Sequence, residues 1–188
     1  MIVKADSEGL ERAAEVLLRG GVAVIPTDTV YGLAAHPAFP GAVARLYTIK
    51  ARAAAKPIAL LAADAAAAER FLGGLSPKAR ALAAAHWPGA LTLVLPSNSN
   101  SFEGLRVPDH EWTRELLRRC GGVLRVTSAN LSGQRAATDA PEALESIGLS
   151  ADLVVDDGVS PGGVASTVAK VDGETVTVLR PGPIDTGA

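Results

Sequence analysis

The sequence predicts a single α/β domain, residues 1–188, built around one mixed sheet. Segments with apolar residues at helical spacing alternate along the chain with short runs of valine, leucine and isoleucine, a pattern typical of layered α/β domains. No linker rich in serine and glycine divides the chain in two. Three strand-like runs lie close together near the C-terminal end, and this spacing favours a mixed sheet over a purely parallel one.

The N-terminal quarter of the chain predicts a helix, a strand and a second helix. Apolar residues recur at helical spacing after Ser7, which we expect to cap the first helix, and the Gly20-Gly21 pair ends it. The run "VAVI", residues 22–25, predicts a buried strand because it is short, apolar and mostly β-branched. A second helix is predicted over about Pro40 to Ile49.

The rest of the chain continues this alternation. Asp64 is the expected cap of "AAAAERFL", and Ser76 caps a helix with Pro77 at its first position, where a missing N–H costs nothing. The other predicted helices are "HEWTRELLRRC" and "PEALESIG". The other predicted strands are "PIALLA", "ALTLVLP", "GLRVP", "GVLRVTS", "DLVVDDG", "STVAKV" and "TVTVLR".

Charge and composition exclude several classes of protein. Twenty acidic against eighteen basic residues give a net charge of -2, so any phosphate site must come from a local cluster of bases. The single cysteine, Cys120, excludes an intrachain disulfide and a thiolate-rich metal site. The N-terminus has no signal-peptide apolar region, and no apolar run reaches the roughly 18 residues that a membrane span needs. We therefore expect a cytoplasmic protein with no membrane partner.

Several common catalytic motifs are absent from the sequence. It contains no G-x-x-x-x-G-K-[ST] phosphate loop and no G-x-G-x-x-G after a strand. The histidines at positions 36, 86 and 110 have no metal-ligand spacing, and no protein metal site is predicted. Metal hydrolases and Rossmann dehydrogenases are therefore poorly supported.

Hydroxyl-rich segments adjoin three of the predicted strands. They are "PTDT" at 26–29, "TSANLSG" at 127–133 and "SPGGVAST" at 160–167. Such groups can simply satisfy a turn. They can also bind a ligand, because open α/β sheets bind ligands beyond the ends of their strands, and glycines let backbone N–H groups approach an anion.

Bases are interspersed with these segments. Lys50, Arg52 and Lys56 lie within seven positions, and Arg106 and Arg180 stand alone at predicted strand ends. These three bases have two possible interpretations. They can be solvated residues at a helix end, where positive charge complements the helix dipole. They can also bind an anion, for which arginine supplies a planar guanidinium group and lysine a point charge. The alternation of hydroxyl-rich segments with bases favours a site for an anionic ligand.

The order of these segments resembles the TsaC/YrdC family, the threonylcarbamoyl-AMP synthases. The segments that carry the resemblance span about Gly21 to Gly182 and are "PTDTVYGL", "IKARAAAKP", "WPGALTLVL", "LRVP", "TSANLSG", "STV" and "LRPG". The resemblance implies a YrdC-like fold, a twisted sheet around a concave, basic cleft. It also implies a nucleotidyltransferase that converts L-threonine, bicarbonate and ATP to L-threonylcarbamoyladenylate and pyrophosphate, for threonylcarbamoyladenosine modification of tRNA.

The resemblance further implies roles for individual residues. Lys50 and Arg52 would be the catalytic residues. The L-threonine pocket would be formed by Thr27, Thr29, Arg106, Thr127 and Ser166. ATP would be bound by Lys50, Arg52, Lys56, Ser128, Asn130 and Arg180, with Mg²⁺ arriving on the nucleotide. No role follows for Asp28.

The implied partners are the three substrates, the downstream tRNA threonylcarbamoyl transferase proteins and, weakly, RNA. The chain ends soon after Arg180, so we expect the short, single-domain form of the family. Two alternatives stay open. One is a carbamoyl-adenylate domain, which normally belongs to a much longer chain. The other is a non-catalytic RNA-binding module, which the scarcity of stacking aromatics disfavours, since the chain has three Phe, two Tyr and two Trp.

Overall fold

The computed structural model describes residues 1–53, 56–98, 101–147 and 150–187. The strands are β1 (Ile2–Lys4), β2 (Val22–Ile25), β3 (Gly32–Ala35), β4 (Leu60–Ala62), β5 (Leu91–Pro96), β6 (Phe102–Arg106), β7 (Val123–Ser128), β8 (Leu153–Asp156), β9 (Thr167–Asp172) and β10 (Thr175–Arg180). The helices are α1 (Ser7–Leu18), α2 (Pro40–Ile49), α3 (Ala65–Leu72), α4 (Pro77–His86), α5 (Glu111–Arg119) and α6 (Ala140–Ile147). Each helix and strand predicted above has a counterpart, and Gly148, the last residue of the predicted "PEALESIG" helix, lies outside the described residues.

All ten strands form one mixed sheet in the order β1-β8-β2-β3-β7-β4-β6-β5-β9-β10. The pairs β1–β8, β2–β8, β4–β6 and β5–β9 are parallel. The pairs β2–β3, β3–β7, β4–β7, β5–β6 and β9–β10 are antiparallel. The predicted α/β class and mixed sheet are confirmed.

Helices cover the two faces of the sheet unequally. Successive side chains of a strand point to opposite faces, so Ala23 and Ile25 of β2 join one core while Val22 and Val24 join another. The first and larger core receives the apolar faces of α1, α3, α4 and α5. The second receives those of α2 and α6. The second core contains no residue of β5, β6, β9 or β10 among the described residues, so this half of the sheet has its cleft on that face.

Three details of the sequence prediction need correction. The cap of α1 is Asp6 and not Ser7, because the Asp6 carboxylate accepts the N–H of Gly9 at 2.9 Å and the helix begins at Ser7. The strand β3 was not predicted, because "GLAA" has little intrinsic strand preference. It forms because β2 and β7 pair with it on both sides.

The short strand β1 was also missed, and it pairs only at its β8 side. No helix in the described ranges is long and apolar enough to cross a membrane.

Candidate active site

A cleft of about 370 Å³ lies on the face of the sheet opposite the larger core. The strand β5 shows how its floor is made: Leu91, Leu93 and Leu95 point into that core, so Thr92 and Val94 point into the cleft. Seven consecutive strands, from β3 to β10 in the sheet order, contribute lining residues. Laid flat, seven strands would span roughly 29 Å between the outer two. The cleft therefore extends across most of the width of the sheet.

The cleft brings most of the predicted site residues together. Eight of them line it: Thr27, Thr29, Arg52, Arg106, Thr127, Ser128, Ser166 and Arg180. Lys50, Lys56 and Asn130 are not among the lining residues. Among the described residues that line the cleft, three are arginines and none is a carboxylate. The arrangement offers cationic and hydroxyl groups to a ligand that carries negative charge.

The two threonines that follow β2 lie in one hydrogen-bonded cluster. The Thr27 hydroxyl donates to the carbonyl oxygen of Val30 at 2.7 Å and accepts the N–H groups of Thr29 and Val30 at 3.2 and 3.3 Å. The hydroxyl oxygens of Thr27 and Thr29 lie 3.1 Å apart. The Thr29 oxygen in turn accepts from Arg106 Nη1 at 2.8 Å. Thr27 therefore shapes the turn, and Thr29 connects that turn to a cleft arginine.

Arg106 is the most deeply buried charge of the cleft, with a side chain only 7% exposed. Its Nε donates to the carbonyl oxygen of Gly89 at 2.9 Å, and its Nη2 donates to the Asp28 carboxylate in a short ion pair. Burial lowers the pKa of Arg106, and the charge and hydrogen bond of Asp28 oppose that shift. Asp28, to which no role was given from the sequence, is thus the partner of this guanidinium.

Lys50 is buried beneath the segment that follows β7. Its Nζ donates to the carbonyl oxygens of Ser128 and Asn130, each at 2.5 Å. Burial, with the nearby charge of Arg52, lowers the pKa of Lys50 from 10.5 to about 8. The Asn130 side-chain amide donates to the carbonyl oxygens of Leu131 and Gln134 at 2.8 and 2.9 Å. Lys50 and Asn130 therefore support the segment that brings Ser128 to the cleft.

The other two arginines stand on opposite walls. Arg52 follows α2, and its Nε and Nη2 donate to the carbonyl oxygens of Lys56 and Pro57 at 2.9 and 3.1 Å. Arg180 ends β10, and its Nη2 donates to the carbonyl oxygen of Ser166 at 2.7 Å. Partial burial and the charge of Arg52 lower the pKa of Arg180, so the two guanidinium groups share one positive field. Lys56 is exposed beside this wall.

Sequence reasoning missed two polar groups of the site. One is Thr92, whose hydroxyl lies 2.8 Å from that of Ser166. A signal existed, because Thr92 is the one polar residue in the otherwise apolar run "ALTLVLP" and so breaks the pattern of a buried strand. The other is the Gly89 carbonyl, for which the sequence holds no signal. Apolar lining from Phe102 and Leu179, both partly exposed, was missed as well.

Comparison with known proteins gives a consistent assignment. A family model named Sua5/YciO/YrdC, with the description "telomere recombination", matches residues 15–182. A Mycobacterium tuberculosis relative is 36% identical over 96% of this chain and 87% of its own length. The threonylcarbamoyl-AMP synthase of Bacillus subtilis is 34% identical over 93% of this chain, which spans 54% of that protein.

A solved structure gives the same result. The crystal structure of P. abyssi Sua5 complexed with L-threonine superposes with a TM-score of 0.91 at 29% identity, covering 97% of this chain and 57% of that one. The predicted family and fold class are confirmed by these matches. The chain belongs to the Sua5/YciO/YrdC family.

Proposed function

We propose that this protein is a threonylcarbamoyl-AMP synthase. It would convert L-threonine, bicarbonate and ATP to L-threonylcarbamoyladenylate, pyrophosphate and water. The observation that carries the proposal is the convergence of three arginines with hydroxyl groups of Thr29, Thr127 and Ser166 in one cleft. The curated relatives that bear this name, and the family member crystallised with L-threonine, support the same reaction.

The reaction needs orientation and charge neutralisation more than covalent participation of the protein. The amine of threonine displaces water from bicarbonate to form a carbamate. A carbamate oxygen then attacks the α-phosphorus of ATP, the bond to the bridging oxygen breaks, and pyrophosphate leaves. Such nucleotidyl transfers depend on holding the two reactants in line and stabilising phosphate charge.

The cleft arginines suit these two tasks. Arg52 and Arg180 lie on walls that share a positive field, and we assign them to the phosphates of ATP. Arg106 lies deeper, next to Thr29, and we assign it to the carboxylate of threonine. Guanidinium groups form charge-assisted, bidentate hydrogen bonds with both kinds of oxyanion. Ser128, Asn130, Lys50 and Lys56 stay assigned to the nucleotide side of the cleft, as the family resemblance implies.

Magnesium enters this proposal as part of the nucleotide substrate. The polar lining of the cleft consists of hydroxyl and guanidinium groups, which match phosphate oxygens and do not match a hard divalent cation that prefers carboxylates. We therefore propose that Mg²⁺ arrives on ATP. We also propose a cytoplasmic location and transfer of the adenylate to tRNA threonylcarbamoyl transferase proteins, with RNA bound only weakly.

Pyrophosphate release by the purified protein tests the proposal. We expect release from Mg·ATP and bicarbonate to depend on L-threonine, and the second product to have the mass of L-threonylcarbamoyladenylate. Release with carbamoyl phosphate in place of threonine would indicate the carbamoyl-adenylate alternative. RNA binding without any pyrophosphate release would indicate the binding-module alternative. Either result would overturn the assignment.

A further inference from the structure

The position of Arg106 depends on three separate segments of the chain. Its Nε is held by the carbonyl of Gly89, its Nη1 by the hydroxyl of Thr29 and its Nη2 by the carboxylate of Asp28. A guanidinium has five N–H donors, so these three bonds leave one N–H on each terminal nitrogen. Because Arg106 lines the cleft, these two donors are available to a ligand.

Of the three groups, Asp28 is the one that also supplies charge. Its side chain is 11% exposed, and its backbone is fixed as well, because its carbonyl oxygen accepts the N–H of Gly162 at 2.9 Å. A buried guanidinium with no counter-ion is costly, and Asp28 compensates that cost while the cleft holds no substrate. The carboxylate also restrains the rotation of the guanidinium about its long side chain.

We propose that Asp28 is the positioning residue that orients Arg106 to bind the carboxylate of the amino-acid substrate. Asp28 contacts Arg106 from the side away from the substrate and takes no part in the chemistry. The inference rests on the proposed function, because it takes the ligand of Arg106 to be the carboxylate of L-threonine. The proposal gives Asp28 a role in substrate selection. The composition and spacing of the sequence gave it none.

The test compares two variants of Asp28 with a matched control. Asp28→Ala removes the hydrogen bond and the charge, whereas Asp28→Asn keeps an oxygen that can accept from Nη2. The control is Glu103→Ala, which breaks another partly buried carboxylate–arginine pair, with Arg125 at 2.6 Å, whose members do not line the cleft. Circular dichroism and thermal melting establish that each variant is folded.

Two ligands separate positioning from general destabilisation. Calorimetry measures the dissociation constants of L-threonine and L-threoninamide, which lacks the carboxylate, and steady-state kinetics give the KM for ATP. We expect the wild type to prefer threonine. Asp28→Ala should reduce that preference at least ten-fold with the KM for ATP changed less than two-fold. Asp28→Asn should stay within about three-fold of wild type, and Glu103→Ala should retain the full preference.

Several results would overturn the inference. They are an unchanged preference in Asp28→Ala, equal weakening of threonine and ATP, an asparagine variant as defective as the alanine variant, or the same loss in Glu103→Ala. If Asp28→Ala does not fold, Asp28→Leu takes its place, because leucine has a similar size but cannot accept the hydrogen bond, and an unchanged preference in it contradicts the proposal. A wild-type protein that releases no pyrophosphate with threonine would instead refute the proposed function, so the two failures are distinguishable.

Discussion

The ammonium nitrogen of Lys50 lies 2.5 Å from the carbonyl oxygen of Asn130. The carbonyl oxygen of Ser128 lies at the same distance, and the carbonyl of Lys50 itself accepts the N–H of Ser132 at 2.9 Å. These hydrogen bonds join Lys50, directly after α2, to the end of β7 and the segment that follows it. Lys50 has a structural task that the sequence did not predict, and its contact with phosphate stays a prediction.

The buried lysine predicts a specific dependence of stability on pH. Because the pKa of Lys50 falls from 10.5 to about 8 on folding, the unfolded chain binds more protons between these two values. The free energy of unfolding contributed by Lys50 should therefore rise with pH in this window, by about 1 kcal/mol per pH unit at most. Urea unfolding of the wild type and of Lys50→Met from pH 7 to 10.5 measures the difference.

Taking that difference cancels the titration of other groups, including Tyr31 and Cys120, whose pKa values burial raises to about 12 and about 11. Lys78→Met, which replaces a partly buried lysine of α4, is the matched control for the loss of a lysine side chain. A flat difference for Lys50→Met would show that Lys50 is not desolvated in the folded protein.

Arg52 is the arginine whose loss should most directly affect ATP. Charge-assisted hydrogen bonds contribute about 1.5–3 kcal/mol each, so Arg52→Ala should lower kcat/KM for ATP by one to two orders of magnitude or more. Arg52→Lys keeps the positive charge but loses the planar guanidinium group. Its kcat/KM for ATP should therefore lie between those of the wild type and Arg52→Ala. The control is Arg80→Ala, since Arg80 is exposed on α4 and pairs with Glu69. If Arg52→Ala has the same kcat/KM for ATP as the wild type, the assignment of Arg52 to the ATP phosphates is wrong.

The hydroxyl-lined pocket predicts the choice of amino acid. If Thr29, Thr127 and Ser166 surround the substrate, a substrate without a hydroxyl leaves their polar atoms buried and unpaired. Valine should therefore support on the order of 10⁴-fold less pyrophosphate release than threonine. Serine loses one methyl group, a deficit of about 1–3 kcal/mol, and should be the better of the two poor substrates. If valine supports as much pyrophosphate release as serine at the same concentration, the prediction of a hydroxyl-lined amino-acid pocket is wrong.

Gly162 should control the Asp28 loop by its lack of a side chain. A Cβ at this position would lie 2.6 Å from the carbonyl oxygen of Asp28 and 3.2 Å from the Cα of Thr29. Gly162→Ala must therefore move that loop, and we expect the KM for threonine to rise several-fold with the KM for ATP little changed. Gly41→Ala, where a Cβ meets nothing within 4 Å, is the matched control. If Gly162→Ala and Gly41→Ala have the same KM for threonine, the Asp28 loop can move without affecting the binding of threonine.

The sequence predicted most of the fold because most elements carry a local signal. Asp64 and Ser76 mark helix starts through their own side chains, and both cap as expected, at 2.7 and 3.2 Å from the N–H groups of Ala67 and Ala79. The strand β3 lacks such a signal, since its strand character comes from two neighbours far apart in the chain. Non-local pairing of this kind is invisible to a local pattern.

The residues of the cleft were more predictable than their contacts. Eight predicted residues line one cleft; seven of them lie at or near strand ends, and Arg52 follows α2. Asp28 and Arg106 are 78 positions apart in the sequence, and no residue pattern near either one predicts that they pair. The burial of the Lys50 side chain could not be predicted either. Its hydrogen-bond partners are backbone carbonyls, and every residue has one, so the sequence near Lys50 carries no sign of them.

The continuity of the sheet has a consequence for how the cleft can open. Enzymes that bind between two domains open by swinging rigid bodies about a hinge. Here the walls from β3 to β10 belong to one hydrogen-bonded sheet, so separating them would break backbone bonds along the floor. A rigid-body hinge between the walls would therefore cost part of the sheet's own hydrogen bonding.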